Sequence, residues 1–454
     1  MKRFLAALVT TALLWAQPAA AQSILRDAET EALFADMMSP LATAAGMGAR
    51  DIRVVLIQDD EINAFVAGGQ IIYVHSGLLQ AATTANEVQG VLAHELGHIA
   101  DGHVVLSDAG ARPAMGISLL SLVLGLAAMA AGGGEAGAGI LAAGQQAALG
   151  KYLAFSRVQE ATADAAAMKY LNTAGITGRG LLSFFKKLQQ QEYRYGTANI
   201  DPFMQTHPLS GQRVSVLTTD VQKSPHFAKP ADAGIEERFR RIKAKLQGYT
   251  QQPTRTLQAF PDTDQTIYAH YARAYAYHKG GYPDKADAEA AALIRARPDD
   301  PYFLEVQGQI LLEAGKPRQA LGPLKAATEG SRYNPLIATT YGHALIATED
   351  KALYPEATRV LRIAVARDER NPFGWQQLGT VYERTGDTAR AALATAERAH
   401  MTGDHRTASG SARFALANLP PNTPDWIRAQ DIAMTSKNEL CSDDNRKENK
   451  RLCA

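Results

Sequence analysis

The pattern of apolar and polar positions divides the chain into a mixed first part and a helical second part. Asp51 to Gln58 is a β-branched run that predicts a strand. Two apolar stretches around Gly68-Gly69 predict a tight hairpin over residues 63 to 74. Asn86 is a good N-cap for a helix, with Glu87 in its first turn. Helical periodicity covers residues 24 to 48, 86 to 104, 155 to 172 and 177 to 192.

A repeat organises the second part. Small residues recur at a spacing of 34 at Ala274, Gly308 and Gly342. After a short insertion near Leu353, the last copy reads Trp375-x-x-Leu378-Gly379-x-x-Tyr382, which resembles the tetratricopeptide repeat signature. Small side chains at these positions allow paired helices to approach closely, so the pairs are expected to stack into a solenoid.

The segment from Pro113 to Gly150 has a different composition. Met115 to Ala131 carries no charge, Gly132 to Gly134 interrupts it, and Ile140 to Leu149 is again small and apolar. Seventeen helical residues rise about 25 Å, near the lower limit for crossing a bilayer. Three interpretations of residues 115 to 149 stay open: a hairpin that packs on the core or touches a membrane surface, a mobile cover over the active site, and a membrane span.

The first residues are typical of an export signal. Lys2 and Arg3 precede the apolar run Phe4 to Trp15, and Ala19-Ala20-Ala21 provides small residues before Gln22. We therefore expect a cleavable signal peptide and a periplasmic mature chain.

Charge and cysteine content narrow the function classes. The number of Lys and Arg residues (47) nearly equals that of Asp and Glu residues (46), so no large net positive charge indicates a nucleic-acid partner. No P-loop pattern occurs, and we expect no ATP dependence. Cys441 and Cys453 are too few for a structural zinc site; a disulfide between them fits an oxidising compartment, and free thiols are the alternative.

The chemistry centres on His94-Glu95-Leu96-Gly97-His98. On a helix, positions i and i+4 share a face, so both imidazoles can reach one Zn²⁺ ion while Glu95 takes a proton from the attacking water. A catalytic zinc site needs a third protein ligand. Glu160 is the better candidate, because the only acid between Ala109 and Gln159 is Glu135 in a glycine-rich break. Asp164 shares the helix face of Glu160 and can accept the second ring proton of a ligand histidine.

His207 lies in a segment that Pro208 keeps from being helical at the preceding residue. Three interpretations are open. The ring can donate to the oxyanion of the tetrahedral intermediate, or it can occupy the fourth zinc position and hold the enzyme closed. The third interpretation is an exposed loop histidine without a role, with Arg213 and other polar neighbours favouring solvation.

These motifs together resemble a known superfamily. The chain is similar to the HtpX and CaaX-prenyl-protease gluzincins in four motifs. These are the HExxH helix with the further histidine His103, the segment Asn63-Ala64-Phe65, the helix Ser156-Arg157-x-x-Glu160-x-x-x-Asp164, and Thr206-His207-Pro208. Within that superfamily the BepA-like periplasmic branch, the β-barrel assembly-enhancing proteases, matches best. The resemblance implies zinc bound by His94, His98 and Glu160, with Glu95 as general base and acid. We expect Asp164, Arg157 and His103 around these ligands.

The resemblance also implies a function. It indicates an endopeptidase that removes unfolded or misassembled envelope proteins and assists outer-membrane protein assembly, with the repeats docking substrates or the assembly machinery. The alternative is a repeat-based chaperone or scaffold whose proteolysis is idle. A membrane-embedded processor of prenylated peptides is disfavoured by the cleavable signal and by the lack of several membrane spans.

The sequence thus predicts an α+β chain in which a mainly helical HExxH metallopeptidase domain with a small β-sheet precedes an all-α tetratricopeptide-repeat solenoid. The expected segments are a signal peptide (1–21), the metallopeptidase domain (22–220), a linker (221–260), the repeats (261–436) and a C-terminal tail (437–454).

Overall fold

The computed structural model describes residues 23–130, 134–195 and 207–442. The described residues form two compact units, one of residues 23–26 with 31–240 and one of residues 27–30 with 241–442. The expected signal peptide lies outside the described residues. Cys441 is disulfide-bonded, and Cys453, the only other cysteine in the sequence, lies outside them as well.

A four-stranded sheet belongs to the first unit, in the order β1-β2-β4-β3. Strands β2 and β4 are parallel, whereas β1 pairs with β2 and β3 with β4 in antiparallel fashion. The predicted hairpin is confirmed: Gly68 and Gly69 have φ angles of 63° and 93°, which side chains other than glycine rarely adopt. The strands are β1 (Ser23–Leu25), β2 (Arg53–Gln58), β3 (Ala64–Ala67) and β4 (Ile71–His75).

Helices surround this sheet. The helix predicted over residues 24 to 48 begins only at Ala28, because residues 23 to 25 pair with β2 as a strand. The helices of this part are α1 (Ala28–Ala44), α2 (Ser76–Ala81), α3 (Ala85–Ala100), α4 (His103–Ala130), α5 (Gly134–Thr173), α6 (Arg179–Tyr195), α7 (Gly211–Lys223) and α8 (Ala233–Thr250).

Helix α3 is the centre of the first unit, since all its residues from Ala85 to His98 are buried. Its N-cap is Thr84, whose side chain accepts a hydrogen bond from the backbone N–H of Glu87, and not the predicted Asn86. The side chain of Asn86 instead donates to the carbonyl of Thr177 and accepts from the N–H of Gly180. Asn86 therefore ties α3 to the start of α6.

Helices α4 and α5 carry the apolar segment noted in the sequence. Within the described residues, no helix is long and apolar enough to cross a membrane. Many large apolar side chains of this segment are exposed: Met115, Leu119, Leu120, Leu122, Val123, Leu124, Leu126, Ile140 and Leu149.

The second unit is a stack of helix pairs, which confirms the predicted solenoid of tetratricopeptide type. A 3₁₀ helix (Lys351–Leu353) forms at the predicted insertion. The segment expected as a polar linker is largely helical, in α8 and α9, and the boundary between the two units falls inside α8. The helices are α9 (Pro253–Ala259), α10 (Ile267–Lys279), α11 (Pro283–Ala296), α12 (Pro301–Glu313), α13 (Pro317–Gly330), α14 (Pro335–Ala347), α15 (Tyr354–Arg367), α16 (Pro372–Thr385), α17 (Thr388–Met401), α18 (His405–Asn418) and α19 (Pro424–Leu440).

The small repeat residues have the role expected from their spacing. A Cβ on Gly308 would lie 2.4 Å from the Leu324 side chain, and one on Gly342 would lie 2.5 Å from Leu361. In each of these helix pairs, a leucine side chain of the second helix therefore packs into the space left by the glycine of the first helix. Large and small residues interlock across the pair in this way.

Buried ion pairs, which the sequence did not suggest, hold residues 27 to 30 in the second unit. Arg241 lies 2.8 Å from a carboxylate oxygen of Glu29, and Lys245 pairs with Asp27. The hydroxyl of Tyr271 donates to Glu29 at 2.8 Å. Because buried charges need such partners, this network holds residues 27 to 30 against α8 and α10.

Trp375→Ala should destabilise the repeat unit by about 3 to 5 kcal/mol, the usual cost of emptying a buried aromatic site. Trp375 is 7% exposed and donates from Nε1 to the carbonyl of Glu369 at 2.9 Å. Chemical denaturation of the full chain followed by circular dichroism measures the loss. Phe373→Ala is the control, because Phe373 lies on the same helix and is 44% exposed.

The first unit is expected to keep its metal content and peptide hydrolysis in Trp375→Ala. If hydrolysis disappeared while that unit stayed folded, the two units would not be independent.

Candidate metal centre and active site

Helix α3 positions the HExxH side chains. His94 and His98 lie one turn apart, and their Nε2 atoms are 3.2 Å apart. Gly97, between them, allows α5 to come close: a Cβ at this position would lie 2.9 Å from the carbonyl oxygen of Ala163. Since Glu160 precedes Ala163 by one helical turn, this close approach brings its carboxylate to the two imidazoles.

Four buried side chains converge on one point. His94, His98, Glu160 and His207 each offer a donor atom, and these atoms lie within 4.8 Å of one another. Oxygens of Glu160 are 3.3 Å from Nε2 of His94 and 3.5 Å from Nε2 of His98. Ligand bonds of about 2.1 Å in a tetrahedral site require donor separations of roughly 3.4 Å. The four residues therefore form a set that could hold a metal ion.

His207 belongs to this set and is not an exposed loop residue. Its side chain is 7% exposed, and Nδ1 lies 3.1 Å from Oε1 of Glu160 and 3.3 Å from Nε2 of His94. The expected exposure of His207 is therefore wrong, and its role stays a prediction. Nε2, on the other side of the ring, lies 3.5 Å from Oε1 of Glu95.

Glu95 is fully buried but does not belong to the group of four donors. The burial raises the pKa of its carboxyl, and the neighbouring rings of His207 and His94 oppose this effect. A carboxyl with a raised pKa is suited to accept a proton and return it near neutral pH.

Asp164 supports the set from behind His94. Its Oδ1 lies 3.0 Å from Nδ1 of His94, on the ring edge opposite the proposed metal position. This is the arrangement expected for a carboxylate that orients a ligand histidine. Burial opposes ionisation of Asp164, but hydrogen bonds from Arg213 and His94 outweigh it and lower its pKa.

The pKa values of the two histidines of the HExxH motif are shifted in opposite directions. Burial lowers the pKa of His94, but contacts with Asp164 and Glu160 outweigh it and raise the pKa to about 10. Burial and repulsion from His94 and His207 lower the pKa of His98 to about 2. Contacts with His207 and His94 lower the pKa of Glu160 despite its burial. Negative carboxylates thus attract positive charge here, and a bound metal cation would replace the proton on His94.

His103 and Arg157 have different positions relative to the set. Nδ1 of His103 lies 2.9 Å from Nδ1 of His98, and its Nε2 is 3.2 Å from the Thr162 hydroxyl. Arg157, which we expected near the ligands, is exposed on α5. The arginine against the two carboxylates is Arg213, so the expectation for Arg157 is corrected.

Arg213 is the residue that the sequence analysis missed. It donates to both oxygens of Asp164 at 2.8 Å, lies 3.0 Å from Glu160, and donates to the carbonyl of Pro208. Its guanidinium therefore links α5 to the loop that carries His207. A sequence signal existed: Arg213 lies in the first turn of a helix capped by Ser210, directly after Thr206-His207-Pro208.

The sequence of this chain is similar to those of known proteins. The family model described as Peptidase family M48 matches residues 27–221. The putative beta-barrel assembly-enhancing protease of Vibrio cholerae is 25% identical over 352 residues, which cover 75% of this chain and 70% of the relative. The beta-barrel assembly-enhancing protease of Escherichia coli K12 is 24% identical over 372 residues, covering 80% and 70%.

The metalloprotease LoiP of Escherichia coli K12 is 32% identical over 185 residues, which cover 40% of this chain and 68% of LoiP. The similarity to the assembly-enhancing proteases covers 75% to 80% of this chain, so it extends beyond the unit that carries the metal centre. The chain is therefore a metalloprotease that belongs to peptidase family M48.

Proposed function

We propose that this chain is a zinc-dependent endopeptidase of the bacterial periplasm that degrades misassembled envelope proteins, including outer-membrane proteins, and assists their assembly. The observation that carries the proposal is the convergence of His94, His98, Glu160 and His207 around one point, with Glu95 beside them. Two relatives that share most of this chain are named beta-barrel assembly-enhancing proteases.

Zinc fits the donor set better than the other common metal ions of proteins. Imidazole with a single carboxylate suits Zn²⁺, whereas Mg²⁺ and Ca²⁺ prefer oxygen ligands. His94, His98 and Glu160 would hold the ion, with Asp164 and Arg213 fixing His94 and Glu160. Zinc bound there would supply a Lewis acid that polarises the scissile carbonyl group.

Glu95 moves the protons in this proposal. Its buried carboxylate takes a proton from the attacking water and delivers it to the leaving amine. Burial raises the pKa of Glu95, which favours the protonated carboxyl between the two transfers. The same burial keeps bulk water from competing for the carboxylate.

The edge strand β3 offers a place for an unfolded substrate. It pairs with β4 on one side only, and it contacts α3, which carries the HExxH motif. An extended peptide can add to such an edge by main-chain hydrogen bonds, with little dependence on its sequence. This mode suits a protease that acts on misassembled chains, and the repeats would dock substrates or the assembly machinery through their concave face.

A chaperone or scaffold with idle proteolysis remains the second hypothesis. Idle proteolysis would leave the buried carboxylate of Glu95 and the charges of Asp164 and Arg213 without a function. Keeping such charges buried costs free energy. We therefore favour the active protease.

We further propose that the imidazole of His207 occupies the fourth coordination position of the metal and blocks access to it; we call this role the plug. Its Nδ1 is as close to Glu160 and His94 as the ligand atoms are to each other, which supports a position at the metal and not at an oxyanion. A ring in that place holds the enzyme closed until a substrate displaces it. Such a resting state protects folding intermediates in the periplasm from cleavage.

The exposed apolar side chains of α4 and α5 support peripheral contact with a membrane surface. The double variant Leu119→Glu with Leu120→Glu should reduce co-sedimentation of the full chain with phosphatidylethanolamine vesicles. The reason is that placing the two new carboxylates in the membrane interface is unfavourable. Val216→Glu, at another exposed apolar position, is the control. Equal sedimentation of all forms would refute the membrane contact.

Glu95→Gln should keep the zinc and lower casein cleavage by about 100- to 10,000-fold, because the amide preserves shape and removes the base. Glu160→Ala should lose zinc and activity together, since it removes a ligand. Metal analysis of the purified variants with a casein assay separates the two effects.

Asp220→Asn, at an exposed acid on α7, controls for general charge loss. Near wild-type cleavage by Glu95→Gln would refute the assigned mechanism. Full zinc occupancy in Glu160→Ala would redirect the search for the third ligand to Glu135 or Asp101.

His207→Ala should raise the basal cleavage of an unstructured peptide and speed the release of zinc to a chelator, because the plug is removed. If His207 stabilises the oxyanion instead, the same change should slow cleavage by about 10- to 1000-fold. His226→Ala, in a loop after α7, is the matched control. Unchanged cleavage and zinc release would leave His207 without either role.

A further inference from the structure

A second cluster of metal-ligating side chains lies away from the HExxH centre. Asp59 and Glu61 are in the loop between β2 and β3, and His75 is the last residue of β4. One donor atom from each lies within 4.8 Å of the others. Among the described residues, this trio and the set around His94 are the two groups with such convergence.

The imidazole of His75 is the unusual member. Its side chain is 3% exposed, yet neither ring nitrogen has a hydrogen-bond partner within the described part of the chain. Nδ1 lies 3.7 Å from Oδ1 of Asp59, which is too long for a hydrogen bond. A buried polar group without a partner costs about 1 to 3 kcal/mol, so the ring is aimed at something that compensates.

The loop around the acids is otherwise well ordered by hydrogen bonds. Oδ1 of Asp59 accepts from the N–H of Glu61 at 2.9 Å, and the hydroxyl of Ser76 donates to the carbonyl of Asp59. The backbone N–H of His75 donates to the carbonyl of Asn63. The main chain thus fixes both acids and the ring in place, while Nδ1 and the carboxylates stay directed at one another.

We propose that Asp59, Glu61 and His75 bind a divalent transition-metal ion, with water completing its coordination. Metal bonds of about 2.1 Å require donors roughly 3 to 4 Å apart, so a small closure of the exposed Glu61 side chain completes the set. The imidazole favours Zn²⁺ or Ni²⁺ over Ca²⁺, Mg²⁺ and Mn²⁺. The ion connects two parts of the chain: the loop before the edge strand β3, and the end of β4.

This site is separate from the HExxH centre in ligands and in chemistry. None of its three residues contributes to the set around His94, and Glu61 leaves the ion open to solvent. Its role is to fix the hairpin of β3 and β4, much as a structural ion fixes a loop.

Equilibrium dialysis of the full chain against Zn²⁺ or Ni²⁺ alone, followed by metal analysis, tests the site. Asp59→Asn and Glu61→Gln should each bind one equivalent fewer than the wild type, or bind it at least about 10-fold more weakly. Asp60→Asn is the matched control, because Asp60 is an exposed acid between the two ligands and outside the trio.

Circular dichroism of each variant checks folding, and Glu61→Gln is at an exposed position where the fold tolerates change. Metal addition should also raise the Tm of the wild type more than that of Asp59→Asn. Identical stoichiometry and affinity in the wild type, Asp59→Asn and Glu61→Gln would overturn the proposal, whatever happens at the HExxH centre.

Discussion

Burial of charge is the constraint on which the catalytic unit depends. Glu95, Glu160 and Asp164 are all nearly or fully buried, and each ionised carboxylate removed from water costs several kcal/mol unless it is paired. Arg213 neutralises much of this charge by contacting both Asp164 and Glu160. A metal cation among the imidazoles would complete the balance. The positions of α3, α5 and α7 follow from the need to bring these partners together.

Close backbone packing makes that charge balance possible. Gly97 lets α5 approach α3 until Glu160 reaches the imidazoles, and Asn86 fixes the start of α6 against the same helix. The hydroxyl of Thr84 accepts from the N–H of Glu87, and the carboxylate of Glu87 accepts from the N–H of Thr83, so the start of α3 is fixed to the preceding residues. Preorganisation of this kind allows buried side chains to act without reorganising.

The repeat unit depends on a different interaction, the fit of large side chains against small ones. Leu324 and Leu361 occupy the space that Gly308 and Gly342 leave open. No ionised group is required for this stacking, so a fixed sequence period is enough to specify it. Near its first helices the unit departs from this rule, because Glu29 and Asp27 are held by Arg241 and Lys245.

The amino-acid sequence was sufficient to predict the features that arise from local periodicity and short motifs. It predicted the α+β architecture, the hairpin at Gly68-Gly69, the repeat solenoid and the helix carrying His94, Glu95 and His98, because each depends on spacing within one segment. It also named Glu160 and Asp164 by their shared helix face, and the structure brings both to His94.

The contacts between residues far apart in the chain follow from the packing of the helices and could not be predicted from local patterns. Asn86 looked like a cap but binds the start of α6, Arg157 is exposed, and Arg213 replaces it at the carboxylates. His207 could be a solvated loop residue from its sequence alone, yet it lies among the metal-ligating side chains. Such pairings depend on close approach between helices far apart in the chain, and the energy of a buried charge is fixed only when its partner arrives.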